Sequence, residues 1–462
     1  MNSPHSFTIL LTSLTVCVLL ASASSSASQT VTGSPSSASC AFTEQNISFP
    51  SFPAPSGQIT LHGTIYLPSS VSSSAPAPAV VMIHGSGPND RYEDIGTVRP
   101  FYDVGRYLAR LGFVVLLYDK RTCTAAAHPI CQYRYCSASV KGDCVQAADV
   151  VVDDFALDAR AALAYLRTRD EVDSERLVLF GHSQGCDLAP GVAAVEHGVG
   201  HVILLMGSGV PVDQTATLQA ERQRALYMDQ MRQWELKKPS PLRTRELTAL
   251  NRTIAAYNCT IQYATPQYDL LRNGVLELNQ NAVICPYGVY WDGGGNVPEG
   301  LYCPAACGNG VCATHENNTL SCLTHQCNPG EAIGCCIALP FSSSWMNATT
   351  PERRLADLSA VRGKILAVNS WTDLLIPPAA FQPLHRMLTQ ELVGNLHYYL
   401  PQGNLGPVTQ SAVRVVANIT HDLTAYPPTS SMLVVQPVLE TVSSFLSEDF
   451  DLNWSCYRSY YD

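Results

Sequence analysis

The sequence LVLFGHSQG, residues 177–185, places a serine between two glycines directly after an apolar run. Leu177–Phe180 is short and apolar, which is typical of a strand buried on both faces of a parallel sheet. The pentapeptide GHSQG then matches the G-x-S-x-G turn that joins such a strand to a helix. This turn strains the serine backbone and pushes the hydroxyl over the sheet edge, at a helix N-terminus. We therefore identify Ser183 as a candidate nucleophile; a glycine turn without chemistry is the alternative.

Apolar strands alternate with amphipathic helices on both sides of this turn. The predicted strands are Ile47–Ser51, Gln58–Leu67, Ala79–Ile83, Phe113–Leu117, Leu177–Phe180, His201–Met206, Lys364–Val368 and Leu396–Leu400. Apolar residues at helical spacing predict helices over 101–111, 152–166 and 433–446, and from about Ala379. Strand alternating with helix predicts an α/β fold, with a mostly parallel central sheet and helices on both faces.

The loop after the strand Ala79–Ile83 is a candidate for binding developing negative charge. It reads HGSGP over residues 84–88, where a second oxyanion donor is found in this architecture. We expect the backbone N–H groups of Ser86 and Gln184 to form the oxyanion hole, where one donor is typically worth about a hundred- to a thousand-fold in rate. A tight glycine turn is the alternative for this loop.

A serine nucleophile needs a base, and the base needs a carboxylate behind it. Asp373 follows the strand Lys364–Val368, and His421 lies in the loop before the last helix. The chain order Ser, Asp, His is the order expected for this turn motif. We therefore predict Asp373 as the acid and His421 as the base, each with a plain surface-loop role as its alternative. The rival base His397 lies inside a predicted strand, and His182 is expected to be structural.

The strand–helix alternation is interrupted over residues 210–360. Thr215–Asn251 is charged and helix-forming, and residues 285–336 carry eight cysteines. We expect 210–360 to be a cap insertion, with 285–336 held by disulfides because it lacks a core. A metal site using His315 and His325 is the alternative there. The core then comprises 46–209 and 361–447, with a C-terminal tail at 448–462.

Other cysteines cluster near the predicted site. Cys123, Cys131, Cys136 and Cys144 lie in the loop after the fourth strand, and Cys186 lies just after the turn. We expect Cys186 to be a small residue buried beneath the turn. If it is unpaired, another cysteine must also be free or intermolecular.

The first residues indicate export. Phe7–Ala21 is an apolar run of signal-peptide length, followed by small residues, so we predict a signal peptide over 1–23 and a Ser-rich linker over 24–45. An uncleaved signal anchor is the alternative. Loss of Cys17 with the signal leaves 16 of the 17 cysteines, an even number that favours disulfides. Seven glycosylation sequons fit the same route and begin at Asn46, Asn251, Asn258, Asn317, Asn347, Asn418 and Asn453.

Composition excludes several other classes. The chain has 462 residues, 46% hydrophobic and 14% charged, which excludes disorder over most of its length. Its formal net charge is −10 without a long basic run, so nucleic acid and anionic membranes are poor partners. No stretch after the signal is long and apolar enough to predict a transmembrane segment in the mature chain.

These motifs resemble the α/β-hydrolase superfamily, and most of all esterases related to its dienelactone-hydrolase and serine-aminopeptidase branches. The resemblance rests on HGSGPNDRYED (84–94), YDKR (118–121), GHSQG (181–185) and the Asp373/His421 pair, and covers about 46–206 and 362–447. It implies that Ser183 is the nucleophile and that Asp119 and Arg121 are structural. The chain departs from the pattern at Thr122-Cys123, at Cys186 and in its large cysteine-rich insertion.

The sequence therefore predicts a secreted serine hydrolase that cleaves carboxylic esters and needs no cofactor or metal. Its expected substrate is a small-molecule or lipid-like ester. A serine aminopeptidase-like enzyme is one alternative, and it would need a charged anchor in the cap, such as Glu221 or Arg222. A non-catalytic binding protein on the same fold is the other. The oligomeric state is left open.

Overall fold

The computed structural model describes the central part of the chain with several gaps. The described residues are 40–95, 97–124, 130–133, 135–136, 144–146, 149–259, 261, 283–284, 290–291, 337–391, 410–416, 419–424, 434 and 436–456. The predicted signal peptide, the strand Leu396–Leu400, the rival base His397 and both candidate metal-binding histidines lie outside these residues. The cysteine-rich segment 285–336 does too, apart from 290–291.

An eight-stranded sheet forms the centre of the molecule. Its strands are β1 (Phe42–Pro50), β2 (Thr60–Pro68), β3 (Ala77–Ile83), β4 (Val114–Tyr118), β5 (Val172–His182), β6 (Val199–Leu205), β7 (Lys364–Ser370) and β8 (Gln410–Val416). Their order across the sheet is β1-β2-β4-β3-β5-β6-β7-β8. From β4 to β8 every neighbouring pair is parallel, whereas β2 runs antiparallel to both β1 and β4. The predicted mostly parallel sheet is confirmed.

Helices pack on both faces of the sheet. The described α-helices are α1 (Pro100–Arg110), α2 (Val152–Leu166), α3 (Gly185–Val195), α4 (Val212–Glu235), α5 (Pro241–Cys259), α6 (Leu339–Ala348), α7 (Pro351–Ala360), α8 (Pro378–Arg386) and α9 (Gln436–Leu446). Within the described part of the chain no helix is both long enough and apolar enough to span a bilayer.

Strand β3 shows why both faces are covered. Val81 and Ile83 point into one apolar core, formed with α2 and α3, while Val80 and Met82 point into the other, formed with α1 and α9. Because successive side chains alternate across a strand, an entirely apolar strand needs a helix on each side. The continuous apolar run predicted a strand buried on both faces, and helices do cover both faces of β3.

The start of β1 and the last described strand of the sheet differ from the sequence-based expectations. β1 begins at Phe42, inside the segment predicted as linker up to residue 45, because its backbone pairs with β2 from Phe42 onward. The last described strand is β8, which was not predicted. It pairs with β7 alone at the edge of the sheet, and Arg414 and Val415 on it are exposed. Its mixed polarity follows from that edge position.

Part of the predicted cap is a helical hairpin. α4 and α5 follow β6 and pack on each other through a small cluster of Ala220, Tyr227, Leu250 and Tyr257. The end of the interruption returns to the core through α6 and α7. There, Arg354 donates to Asp187 Oδ1 at 2.7 Å and Trp345 Nε1 donates to Asp187 Oδ2 at 2.9 Å. Asp187 lies in the first turn of α3, so the returning chain is anchored to the helix that follows Ser183.

Disulfides connect distant and local parts of the described chain. Cys40 is bonded to Cys456, which joins the start of β1 to the short 3₁₀ helix Trp454–Cys456. Cys123 is bonded to Cys131 in the loop after β4, and Cys144 is also disulfide-bonded.

Two buried ion pairs flank the end of β4. Arg91 binds Asp119 through two hydrogen bonds, Nε to Oδ1 at 2.9 Å and Nη2 to Oδ2 at 2.7 Å. Arg121 binds both oxygens of Asp158 at 2.8 and 2.6 Å. All four side chains are almost completely buried. Asp119 and Arg121 therefore hold the scaffold together, as the family resemblance implied.

Removing one partner of such a buried ion pair should lower the free energy of unfolding. In Arg121→Met the Asp158 carboxylate loses its main partner, and we expect a loss of about 3–5 kcal/mol in the free energy of unfolding. The matched control is Arg353→Met, whose side chain is 48% exposed in its pair with Asp153 and should change stability by less than about 1 kcal/mol. Urea denaturation of both variants measures the difference. Equal midpoints would contradict a structural role for Arg121.

Candidate active site

The turn after β5 holds Ser183 in a strained backbone conformation. Its φ is 51°, in the left-handed region that non-glycine residues rarely adopt. A Cβ at Gly181 would meet the Gly185 carbonyl, and a Cβ at Gly185 would overlap the Ile83 carbonyl of β3. Both glycines are thus required by close backbone approach. The turn forms directly between β5 and α3, as the G-x-S-x-G motif predicted.

Cys186 lies beneath this turn. It is a free and fully buried cysteine, and its Sγ contacts the carbonyl oxygens of Gly181 and Leu205 at 3.3 and 3.2 Å. Burial raises the pKa of the thiol well above its ordinary value, so it stays protonated and unreactive. The predicted role of Cys186 as a small buried packing residue is confirmed.

The structure brings Asp373 and His421 together. His421 Nδ1 lies 2.9 Å from Asp373 Oδ2, and a carboxylate in this position makes Nδ1 the donor. The other carboxylate oxygen of Asp373 accepts from the backbone N–H groups of Leu375 and Ile376 at 2.7 and 3.0 Å. Asp373 is therefore fixed on one side by its own loop and fixes the imidazole on the other. His421 Nε2 is left as the nitrogen able to accept a proton.

The histidine loop is bound to the residues around Ser183. His182, the residue before Ser183, lies with its Nε2 2.9 Å from the His421 carbonyl oxygen, and the two rings are 5.0 Å apart between centroids. Thr372, the residue before Asp373, donates its hydroxyl to the carbonyl of Ile419 at 2.8 Å. Among the described residues, no hydrogen bond joins the Ser183 hydroxyl to the His421 ring. Such bonds are often long without substrate and tighten when it binds.

The predicted oxyanion loop packs directly on the nucleophile turn. A Cβ at Gly85 would come within 3.1 Å of the Ser183 Cβ, so only glycine fits at this contact without displacing it. In the part of the chain that the structure describes, the backbone N–H groups of Ser86 and Gln184 make no hydrogen bond to the protein. Gln184 also occupies the N-cap position of α3, where the helix dipole favours negative charge. Both predicted donors are thus available to a substrate oxygen.

Sequence reasoning missed two charged residues of this site. Lys120 Nζ donates to the Gly85 carbonyl at 2.7 Å and to Gln184 Oε1 at 2.8 Å. Glu93 accepts from the Gly85 N–H at 2.6 Å and lies 2.9 Å from His182 Nδ1. Both lie inside motifs that carried the family resemblance. The sequence signal that could have indicated them is a charged residue just after a buried strand, for Lys120, or in the glycine-rich loop after a neighbouring strand, for Glu93.

His182 carries a positive charge in this arrangement. Its ring nitrogens face the Glu93 carboxylate and the His421 carbonyl oxygen, which are both acceptors, so both nitrogens donate. Burial lowers the pKa of His182, but the charge and hydrogen bond of Glu93 outweigh this and raise the pKa to about 9. Burial likewise raises the pKa of Glu93, and the His182 charge returns it below its ordinary value. The pair connects three loops: the glycine loop at Gly85, the Ser183 turn and the His421 loop.

Comparison with known proteins agrees with this architecture. A family model described as the alpha/beta hydrolase fold matches residues 78–264. That range contains β3 to β6 and the Ser183 turn. With the observed strand order and the strand–turn–helix context of that turn, this match shows that the chain has the α/β-hydrolase fold.

Individual relatives are more distant. Esterase EstD of Thermotoga maritima is 33% identical over 144 residues, which are 31% of this chain and only 30% of that relative. Among solved structures, Est1E from Butyrivibrio proteoclasticus covers 87% of this chain and 98% of its own, at 13% identity and a TM-score of 0.41. The Pyrococcus furiosus esterase Pf2001 covers 91% of this chain and 95% of its own, at 10% identity and a TM-score of 0.41.

The Glu93–His182 pair should make stability depend on alkaline pH. The folded protein keeps a proton on His182 up to about pH 9, whereas the unfolded chain releases it near pH 6.5. The contribution of the Glu93–His182 pair to the free energy of unfolding is therefore complete below about pH 6.5 and is lost as the pH rises through about 9. In Glu93→Gln the pKa of His182 should fall, and the decline in the free energy of unfolding over this range should be smaller, by on the order of 2–3 kcal/mol.

Urea denaturation across this pH range tests the pair. Glu352→Gln is the matched control, because Glu352 is exposed and should leave the wild-type pH dependence unchanged. Parallel curves for the wild type and Glu93→Gln would show that His182 is not held in its charged form by Glu93.

Proposed function

We propose that this protein is a serine hydrolase that cleaves carboxylic esters, with Ser183 as nucleophile, His421 as base and Asp373 as acid. One observation carries the proposal. His182, the residue before Ser183, contacts the backbone carbonyl of His421 and so holds the Asp373–His421 pair beside the serine. The backbone φ of Ser183, 51°, is that of a nucleophile turn. A plain surface-loop role explains neither the strain at Ser183 nor the burial of Asp373.

In the first step, the Ser183 hydroxyl attacks the ester carbonyl carbon. His421 Nε2 takes the hydroxyl proton as the oxygen–carbon bond forms. Asp373 keeps the imidazole in the tautomer with Nδ1 protonated and stabilises the imidazolium that results. Because Asp373 already accepts two backbone N–H groups, its orientation is fixed before the substrate arrives.

Negative charge then develops on the former carbonyl oxygen. The N–H groups of Ser86 and Gln184 are the two donors we assign to that oxygen, and the N-terminus of α3 adds a favourable dipole. The imidazolium of His421 gives its proton to the leaving alcohol, and the acyl group stays on Ser183. Water, activated by the same imidazole, hydrolyses the acyl-enzyme and restores Ser183. Each of these steps uses protein groups and water, so we expect the reaction to need no cofactor or metal.

The expected substrate is a small-molecule or lipid-like ester. Support comes from the Thermotoga maritima relative, which bears the name esterase, and from the resemblance of the motifs to esterases. An aminopeptidase-like activity would need a charged anchor for the peptide terminus. The two candidates for it, Glu221 and Arg222, are exposed side chains on α4.

The test is a chain-length series of p-nitrophenyl esters, run beside an aminoacyl p-nitroanilide. The wild type should hydrolyse the esters, and Ser183→Ala should lower kcat by roughly 10⁴- to 10⁶-fold, because the nucleophile is lost while the oxyanion donors remain. Ser444→Ala, which changes an exposed serine on α9, is the matched control and should behave as the wild type.

Each contrary result points to a different function. Turnover of the anilide in preference to every ester would replace the esterase proposal with a peptidase. A folded wild type that neither turns over these substrates nor reacts with a fluorophosphonate probe at Ser183 would favour a binding protein on the hydrolase fold.

We further infer that the protein is exported, with residues 1–23 removed. The Cys40–Cys456 and Cys123–Cys131 disulfides support an oxidising compartment, where such bonds persist. Expression in a secretory eukaryotic host should yield protein in the medium, with a mature chain that begins at Ser24. N-terminal sequencing measures this. Full-length protein that stays with the membrane fraction would instead indicate an uncleaved signal anchor.

A further inference from the structure

We propose that Lys120 is a positioning residue that orients both backbone donors of the oxyanion hole. The inference rests on the proposed function and adds to it a residue outside the Ser183, His421 and Asp373 set. Lys120 follows β4 and is 3% exposed, which is rare for a lysine. Its ammonium group reaches both loops that hold the oxyanion donors.

The first contact fixes the peptide group of the glycine loop. Lys120 Nζ donates to the Gly85 carbonyl oxygen at 2.7 Å. That carbonyl and the N–H of Ser86 belong to one planar peptide unit, with the two groups on opposite sides of it. Holding the oxygen on the ammonium therefore points the Ser86 N–H the other way. A charged donor on the carbonyl also polarises the peptide, which makes its N–H a stronger donor.

Other residues hold the peptide units on both sides of Gly85. Asn89 Nδ2 donates to the Gly85 carbonyl at 3.0 Å, and Glu93 Oε1 accepts from the Gly85 N–H at 2.6 Å. The backbone N–H of Lys120 in turn donates to the Asn89 carbonyl at 3.1 Å. The orientation of Ser86 is thus set by a buried network in which Lys120 provides the positive charge.

The second contact reaches the other donor. Lys120 Nζ donates to Gln184 Oε1 at 2.8 Å, and the backbone N–H of Gln184 is the second assigned oxyanion donor. One ammonium group therefore couples the glycine loop to the first residue of the helix turn after Ser183. The distance between the two donors, which a tetrahedral oxyanion must match, depends on this bridge.

The surroundings keep the ammonium in place. Lys120 Nζ also lies 4.4 Å from the centroid of the Phe155 ring, which is a cation–π contact. The neighbouring charges Asp119 and Arg121 are bound to Arg91 and Asp158. A positive charge buried beside the site also favours a negative oxygen there, because the local dielectric is low.

The experiment compares Lys120→Met with Lys238→Met, which changes an exposed lysine at the end of the cap hairpin. Methionine keeps the length of the chain but donates no hydrogen bond. We expect kcat on the best p-nitrophenyl ester to fall by about 10- to 100-fold with KM changed by less than about threefold, a smaller loss than that of an oxyanion donor itself. Lys238→Met should match the wild type.

A transition-state analogue separates positioning from general damage. A trifluoromethyl ketone forms a tetrahedral adduct with the serine and places an oxyanion in the hole. Its inhibition constant for Lys120→Met should rise by the same factor by which kcat/KM falls. A fall in kcat/KM with an unchanged inhibition constant, or an unchanged kcat in folded Lys120→Met, would overturn the proposal.

Two further outcomes are distinguishable. If Lys120→Met does not fold, Gln184→Met tests the proposal instead, because it removes the Oε1 acceptor and keeps the backbone donor. Its kcat should fall about 3- to 10-fold, with a parallel rise in the inhibition constant. An unchanged kcat would show that the Lys120–Gln184 contact does not position the donor. Absence of esterase activity in the wild type itself removes the proposed function, whereas full wild-type activity with an indifferent Lys120 removes only this inference.

Discussion

The close approach of β3 to the turn after β5 is the constraint on which the rest of the site depends. The carbonyl of Ile83 occupies the space where a side chain at residue 185 would stand, so the chain must turn with glycine there and with Ser183 at φ 51°. The same approach brings Gly85, two residues beyond Ile83, against the Ser183 side chain. Nucleophile and glycine loop are therefore neighbours because two parallel strands are neighbours, and no separate device has to bring them together.

Charged groups are distributed around this contact by the alternation of side chains at the end of β4. Asp119 and Arg121 enter buried ion pairs within the scaffold, and Lys120 between them faces the two loops of the site. On the other side, Glu93 and His182 connect the glycine loop to the loop of His421. Buried ion pairs add little net stability when compared with apolar packing, but they hold their partners in one geometry. A site that must act on a developing charge benefits from that kind of rigidity.

The residues of the candidate site that the sequence could predict are those with a local signature. GHSQG after an apolar strand needs only adjacent residues, and Asp373 and His421 follow from chain order and loop position. Lys120 and Glu93 were missed because their partners are remote: Gln184 is 64 residues from Lys120, and His182 is 89 residues from Glu93. β8 was missed for a different reason. As an edge strand with one partner, it has an exposed Arg414 and lacks the apolar run that marks the inner strands.

The Cys40–Cys456 bond has a consequence for how the molecule responds to proteases. The bond spans 416 residues and closes nearly the whole described chain into a covalent ring. A single cut anywhere inside that ring opens it without producing two separate molecules. A nicked form would therefore migrate at full mass in a non-reducing gel and separate into fragments only after a thiol is added. Because the two halves of the sheet stay tethered after a cut, they can also re-form their contacts as one molecule, at a rate that does not depend on concentration.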